Sequence, residues 1–445
     1  MSASPLRPAR RAAGRLLAGL LTGQLAGQLA GQASRAAGLA GGAGGADDPP
    51  SGSPLIVAAF PAVDAIVREA SGRWAARQAG VPLQIVSRQF NDHHTAMTTA
   101  LSTASNLPDV MALEVGYVGR FALGHGLENL AAPAYGLDSE RQRCVPYAMA
   151  QGTSPTGALV AVPTDIGPGT LLYRHDLLER SGVDLAALTS TWEGFVGAGA
   201  QLKARTGALL LAHARDLKDI LIRTGLAAGE GLYFNAQSEV LVQSPRFQRA
   251  FELARSVRRQ GLDARVTAWS NDWSEGFRRG TIATQMSGAW LAGHLANWLA
   301  PQTAGRWRAA QLPEGAYAAY GGTFFAIPRA LPAARKARAW ALVRLLTFDR
   351  AQQLAAFRAH DAFPALRETY DDAFFAEPMP FLGGQPARLL WREAALRIQA
   401  PTVHKQDAFA DEVINTELDK VMDQGKAIAP ALADAARLLA RRAHR

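Results

Sequence analysis

The residues best suited to chemistry in this chain are aromatic and planar polar side chains. They gather at the ends of expected strands. Trp269 and Trp273 flank Ser270, Asn271 and Asp272, Trp290 follows a strand and a tight turn, Tyr320-Gly321-Gly322 precedes a strand, and Trp391 opens a helix. Sugar recognition needs this mixture. A pyranose ring has an apolar C–H face that packs on an aromatic plate and a rim of hydroxyls that pair with Asp, Asn, Glu and Arg. Consecutive glycines let backbone N–H groups come close to a ligand. Core packing explains any one of these aromatics as well as contact does; their grouping at strand ends is what points to a ligand cleft.

Patterns for other chemistry are missing from the sequence. There is no GxGxxG after a strand, no GxxxxGK[ST], no HExxH and no GxSxG. GTSPTG sets a serine between glycines at the wrong spacing and outside a strand–helix context. His93 and His94 are adjacent, and adjacent residues on a helix do not share a face, so they are not expected to bind metal. Asp371-Asp372 reads as a solvated cap. Cys144 is the only cysteine. It leaves no internal disulfide, cysteine zinc cluster or CxxC pair, and is expected to be a small buried apolar residue. No cofactor or metal is expected.

With 445 residues, 48% of them hydrophobic, the chain is long enough for two domains with well-filled cores. The formal charge of +9 does not point to nucleic acid, because residues 1–46 hold five of the 47 basic residues and none of the 38 acidic ones. The remainder has no dense Lys/Arg block, and nucleic-acid binding is not expected. Residues 1–46 themselves have the layout of an export signal. Arg7, Arg10, Arg11 and Arg15 lead into LLAGLLTGQLAGQLAGQA and then a Gly/Ala run. The glutamines at 24, 28 and 32 dilute the apolar stretch, so no clean membrane span is expected. No cysteine follows it for a lipid anchor. Asp47–Pro54 reads as a linker.

The elements that must position the aromatics alternate strand and helix. Leu55–Phe60, Leu83–Val86 and Val110–Val115 read as strands, with a helix capped by Asn91 or Asp92 between the second and third. Tyr117–Leu123 reads as a short helix. Leu159–Pro163 and Leu171–Tyr173 read as strands interrupted by TDIGPGT, a glycine- and proline-bearing crossing. Thr191 caps a helix, a strand is expected over Leu209–Ala212, a helix over Asp216–Arg223, and Ser244-Pro245 opens another. AWSNDWSEGFRRG reads as an aromatic and polar segment. Ile282, Thr284 and Met286 alternate as one face of a strand, Ser287-Gly288 supplies a cap and turn, and Leu291, Leu295, Trp298 and Leu299 recur at helical spacing. Phe324–Pro328 is a strand, helices follow at 333–347 and after Asp349, DAFPAL (361–366) is a further crossing, and the chain ends in helices at 387–399, 406–424 and 430–442. A mostly parallel sheet with helices on both faces follows from the alternation.

Five segments in order resemble the extracellular solute-binding proteins of bacterial carbohydrate ABC importers, the maltose-binding type. They are QFNDHHTAMTTALSTASNLPDVMALEVGYVGRFALGHGLENL, LVAVPTDIGPGTLLYRHDLLERSG, TWEGFVGAGAQLK, FRRGTIATQMSGAWL and YGGTFFAIPRALPAARKARAWALVRLLT. The resemblance covers about residues 54–440. It implies an α/β, two-lobed periplasmic-binding-protein fold (type II) whose discontinuous lobes are joined by hinge strands. The N-terminal lobe would hold 54–163 plus 323–364, and the C-terminal lobe 167–320 plus 367–445. By position it implies ligand contacts from Trp290 after the turn, from Tyr320, Gly321 and Gly322, from Asp165 in the hinge loop, from Glu114, Tyr117 and Arg120 in a first-lobe loop, and from Trp391 on a late helix. Trp269 and Trp273 are added on composition. The sequence departs from the maltose-binding pattern after the first strand, where Phe60-Pro61 replaces a more polar start.

The resemblance implies binding rather than catalysis: a periplasmic monomer that closes on a sugar and delivers it to an inner-membrane ABC permease. Two alternatives stand beside it. A protein for an anionic ligand such as a glycerol phosphodiester would need cleft arginines, for which Arg120 and Arg174 are the candidates, although Arg174 is expected to face solvent. A secreted glycoside-active enzyme would need a carboxylate pair about 5–9 Å apart in the cleft.

Overall fold

The computed structural model describes residues 52–443 apart from Leu123, His125 and Pro155. The expected export leader and most of the linker lie outside these residues. The described chain forms one sheet from seven strands: β1 (Leu55–Ala59), β2 (Leu83–Ser87), β3 (Val110–Glu114), β4 (Val162–Arg174), β5 (Thr284–Gly288), β6 (Trp307–Ala310) and β7 (Ala319–Ala326). Their order is β2-β1-β3-β7-β4-β5, with β6 also on β4. Only β1–β2 and β1–β3 are parallel. The pairs β3–β7, β7–β4, β4–β5 and β4–β6 are antiparallel, which corrects the expectation of a mostly parallel sheet. The cause is that β4 and β7 carry the chain between the two halves in opposite directions.

The largest departure from expectation is β4. TDIGPGT does not interrupt two strands; it is the middle of one strand of 13 residues. Val162–Pro168 pairs with β7, and Gly169–Arg174 continues between β5 and β6. The β4–β7 register shifts twice, between Pro163 and Asp165 and between Ile166 and Pro168. Proline has no N–H for the ladder, so each shift sits where a hydrogen bond would be lost anyway. A third passage lies alongside, because Ile166 N–H donates to the Phe363 carbonyl at 2.9 Å and Asp165 pairs with Pro364.

In the first half both faces of β1, β3 and the end of β7 are buried, which is why these strands read as apolar runs, while the edge strand β2 stays partly exposed. Val57, Val110, Ala112 and Phe325 face the helix Ala333–Phe348 through Leu342, Val343 and Leu346. Ala58, Met111, Leu113 and Phe324 face Met97 of the helix Phe90–Thr103 and Val118 and Phe121 of the helix Val115–Ala122. The helix at 90 starts before Asn91 and Asp92, so neither caps it. Cys144 is buried as expected, and burial pushes its thiol up to about 12.

The second half is built on helices Trp192–Thr206, Ala214–Leu221, Pro245–Arg259, Asp407–Asp423 and Ile428–Ala443. Thr191 caps the first, its hydroxyl accepting from Gly194 N–H at 2.8 Å. Leu209–Ala212 is reduced to two parallel bridges, Leu209 to Ile282 and Leu211 to Asp263. The aromatic and polar segment AWSNDWSEGFRRG contains the helix Asn271–Arg279, and Ser270 caps it by accepting from Trp273 N–H at 3.2 Å. Trp273 and Phe277, four residues apart, therefore share its buried face. Ser287 lies inside β5 and caps nothing. Beyond Trp290 the chain makes one α-turn, Leu291–His294, and then a wider π-type turn, Leu295–Leu299. The wide turn rotates Trp298 off the apolar stripe: Leu291, Leu295 and Leu299 are buried while Trp298 is 51% exposed. Among the described residues no helix is long and apolar enough to cross a membrane.

Candidate ligand cleft

Two carboxylates mark the first-half wall. Glu114 ends β3, and Asp165 lies in β4; each is the register partner of Thr323 on β7. Residues opposite one another on neighbouring strands point to the same face, so Glu114, Thr323 and Asp165 stand in one row. Asp165 accepts from Thr323 N–H at 3.2 Å, and Glu114 accepts from Gly116 N–H at 2.7 Å. Among the described residues neither has a cationic partner at ion-pair distance. Burial raises the Glu114 carboxyl to about 7 and the Asp165 carboxyl to about 6. The Tyr147 hydroxyl, which feels the Asp165 charge, is buried without a hydrogen-bond partner.

The histidine pair holds this wall. His94 Nε2 accepts from the Glu114 N–H at 3.1 Å while Nδ1 lies 2.8 Å from the Phe90 carbonyl. Its ring stacks on Tyr117 at 3.9 Å and 15°. Burial lowers the His94 pKa to about 4, so the ring is a neutral acceptor at physiological pH. His93 and His94 thus serve packing and orientation.

The second-half wall is charged. Arg223 follows the helix Ala214–Leu221, and its guanidinium lies over the Tyr320 ring at 4.8 Å from the centroid. One of its nitrogens donates to the Asp219 carbonyl at 2.7 Å. Asp407 and Asp411 open the helix Asp407–Asp423 beside it. Asp411 accepts from the Tyr233 hydroxyl at 2.7 Å and lies near Lys218. Asp407 accepts from His404 N–H at 2.8 Å through one oxygen, and its other oxygen is buried with no partner. Burial raises the Asp407 carboxyl to about 7. The Arg223 charge acts on Glu114 of the opposite wall as well as on Asp407 and Asp411. The walls therefore face each other closely enough to share one field.

The floor is glycine and indole. Trp290 Nε1 donates to the Tyr320 carbonyl at 2.9 Å. A Cβ on Gly167 or Gly288 would overlap this indole or that carbonyl, and Gly321, at φ 82°, lies directly beneath the ring. Gly322, at φ 138°, brings the backbone against the Asp165 carbonyl. Only residues without a side chain let β4, β5 and β7 meet around one tryptophan.

Of the residues named from the sequence, Glu114, Tyr117, Asp165, Trp290, Tyr320, Gly321 and Gly322 fall together here. Arg120 is exposed, three residues after Tyr117 on the same helix, and its charge acts on the Tyr117 hydroxyl. Trp273 and Trp391 are each 2% exposed and belong to the hydrophobic core around Phe277, Leu295 and Trp307, which corrects their assignment as ligand plates. Both sit on inward helix faces, a periodicity that composition alone conceals. Trp269 is 56% exposed and stacks on the outer side of Trp290. Arg174 does not face solvent: it is 3% exposed and bound bidentately to Asp176, so it offers no cleft charge. Arg223, Asp407 and Asp411 escaped sequence reasoning, because single charged residues near helix ends carry no local pattern.

Two walls of opposite halves around a floor of crossing strands define a two-lobed α/β solute-binding protein. Residues 73–380 match the bacterial extracellular solute-binding proteins, and the chain belongs to that family. It is similar to the lactose-binding protein of Rhizobium radiobacter, 27% identical over 238 residues, which are 50% of this chain and 53% of that protein. It is also similar to the arabinooligosaccharide-binding protein of Halalkalibacterium halodurans, 25% identical over 137 residues, 30% of each chain. The chain thus spans about half the length of the first relative and less of the second. A solved extracellular solute-binding protein of family 1 shares the fold with a TM-score of 0.76 and 23% identity, over 88% of this chain and 100% of that one.

Proposed function

We propose that the protein captures a sugar between its lobes and delivers it to an inner-membrane ABC permease. The lobes in this reading are 54–163 plus 323–364 and 167–320 plus 367–445, and the protein acts as an exported, periplasmic monomer. The observation that carries it is a set of under-satisfied polar groups around the cleft: one oxygen of Asp407 and the Tyr147 hydroxyl have no hydrogen-bond partner among the described residues, and the carboxyls of Glu114 and Asp165 each accept a backbone N–H but have no cation at ion-pair distance. A buried polar atom without a partner costs about 1–3 kcal/mol, and sugar hydroxyls, which both donate and accept, relieve that cost. The Trp290 indole and Tyr320 ring supply the apolar surface that a pyranose C–H face needs. The two similar proteins named for lactose and arabinooligosaccharide binding support the same ligand class.

Capture works by differential affinity. Ligand that touches both walls stabilises the closed arrangement over the open one by the contacts it makes only there. Thermal melting of the purified protein with mono-, di- and oligosaccharides, polyols, amino acids and glycerol phosphates tests this. A ligand that binds only the folded state raises the melting temperature. A rise with one class of sugar, recovered intact afterwards, is the expected result. A rise confined to phosphorylated ligands would replace the sugar with an anion held by Arg223.

A further inference from the structure

Beneath the second-half wall lies a lysine closed off from solvent. Lys218, on the buried face of the helix Ala214–Leu221, is 0% exposed. Its ammonium donates to the Asp219 carboxylate and lies 3.5 Å from the Asp411 carboxylate. It thereby ties the helix that ends before Arg223 to the helix that carries Asp407 and Asp411. Asp411 is held from two further sides. One oxygen accepts from the Tyr233 hydroxyl at 2.7 Å, and the other from the Asn415 amide at 3.0 Å. Burial would raise the Asp411 carboxyl, but Lys218, the Tyr233 hydroxyl and Arg223 hold it below its ordinary value. Burial likewise opposes the Arg223 charge, and Tyr320, Asp219, Tyr233 and Asp411 favour it.

A buried lysine is costly. Apolar residues of similar volume in place of a buried ion pair are often neutral or stabilising, so methionine at 218 would fill the space as well. It would not balance charge. With Lys218 the wall holds two cations, Lys218 and Arg223, and two carboxylates, Asp219 and Asp411. Without it the carboxylates outnumber Arg223. We propose that Lys218 is a specificity-determining residue: as the hidden counter-charge of Arg223, Asp219 and Asp411, it leaves the wall without net charge, so that the cleft takes an uncharged sugar over an anionic or amine-bearing one. The proposal rests on the sugar reading of the cleft and extends it to ligand charge. Because the ammonium is enclosed, Lys218 acts through this balance and does not touch ligand. Other charges near the cleft leave the balance in place. Arg120 and Glu412 are exposed, opposite in sign and both felt by Tyr117. Burial raises Glu114, Asp216 and Asp407 to about 7 and Asp165 to about 6, so at about pH 5.5 these carboxyls are mainly protonated.

The test is calorimetric titration of the full chain at about pH 5.5 and low salt, where screening is weakest. The probes are lactose and maltose, their aldonic acids lactobionate and maltobionate, and their 1-amino-1-deoxyalditols. Acid and amine carry opposite charges on the same carbon. The proteins are the wild type, Lys218→Met, Asp219→Asn and the double variant. The wild type is expected to bind a neutral sugar more tightly than either charged form. Lys218→Met is expected to move the ratio of amine to acid affinity at least about tenfold toward the amine, and Asp219→Asn at least about tenfold toward the acid. The double variant, short of one charge of each sign, is expected to return to within about threefold of the wild type. Asp219 is 23% exposed, so its variant keeps the fold and reads the balance even where Lys218→Met does not fold. Ratios unchanged in both single variants, or an equal loss for every probe, would overturn the proposal and make Lys218 a structural ion, while neutral sugar binding by the wild type keeps the sugar reading. Tighter binding of a charged form than of its neutral sugar by the wild type would also overturn the balance. A wild type that binds none of the probes, or only the acids, would overturn it together with the sugar reading.

Discussion

Glu114 and Asp165 flank Thr323 from the two sides of β7, on one face of the sheet. Two strand spacings separate their backbones, about 10 Å. They belong to strands on either side of β7 and lie 51 residues apart in the chain. Among the described residues neither carboxyl has a cation at ion-pair distance that would hold its proton off.

That lack gives Glu114 a pH dependence of known sign. Its folded pKa, about 7, lies above its ordinary value of 4.5 because burial penalises the charge. The folded state therefore binds the proton more tightly than the unfolded chain. The stability it contributes is full below about pH 4.5 and is lost as the pH rises through 7. Glu114→Gln removes the charge and keeps an acceptor for Gly116 N–H. The melting temperature of the variant minus that of the wild type, without ligand, is expected to grow between pH 5 and 7 and level off above. A flat difference would refute the burial of that carboxyl. Taking the difference cancels the histidines, whose lowered pKa values act in the opposite sense.

Trp290 combines a ring face and a donor. Trp290→Ala is expected to weaken sugar binding by at least about 2 kcal/mol, as for a buried aromatic anchor. Trp290→Phe keeps a ring and loses the bond to the Tyr320 carbonyl, and should fall between. Wild-type affinity in the alanine variant would remove Trp290 from the site.

Arg223 donates to the Asp219 backbone carbonyl and lies over the Tyr320 ring, 4.8 Å from its centroid. Lysine retains the charge and loses the planar fork and the stacking. Arg223→Lys is expected to reduce ligand affinity about tenfold or more, the cost of losing a charge-assisted hydrogen bond. Titration with whichever sugar raises the melting temperature checks it, and unchanged affinity would confine Arg223 to a structural role.

Gly167 has no positive φ; what it lacks is room. A methyl group there would overlap the Tyr320 carbonyl, pushing β4 from β7 where they cross. Gly167→Ala is expected to destabilise the protein by about 1–3 kcal/mol in urea denaturation, the range for overpacking. Gly72→Ala, where nothing lies within 4 Å, is the matched control and should be near neutral.

The first half was legible because its strands are short, apolar and buried on both faces, and because PDV and LIVAA bracket them without ambiguity. Caps whose side chain meets the helix directly, Thr191 and Asp349, were legible for the same local reason. β4 was not. Its glycines and prolines punctuate a chain in most settings, and only long-range pairing with β5, β6 and β7 makes them a strand. Trp273 and Trp391 look like Trp269 in composition, and helical phase alone separates a core ring from an exposed one. Arg223 and Asp407 come to the cleft from elements almost two hundred residues apart, a proximity no local spacing encodes.

β4 runs unbroken through both lobes, and its two register shifts lie in the part paired with β7. The joint is therefore a continuous ribbon whose pairing with β7 slips at two rungs, with a further passage at Phe363 and Pro364 beside it, and the lobes are not separable modules threaded on a cord. Severing the chain there would leave each piece with half a ribbon and a raw flank of unpaired amides. Such flanks recruit other strands, so isolated lobes of this protein would clump rather than fold.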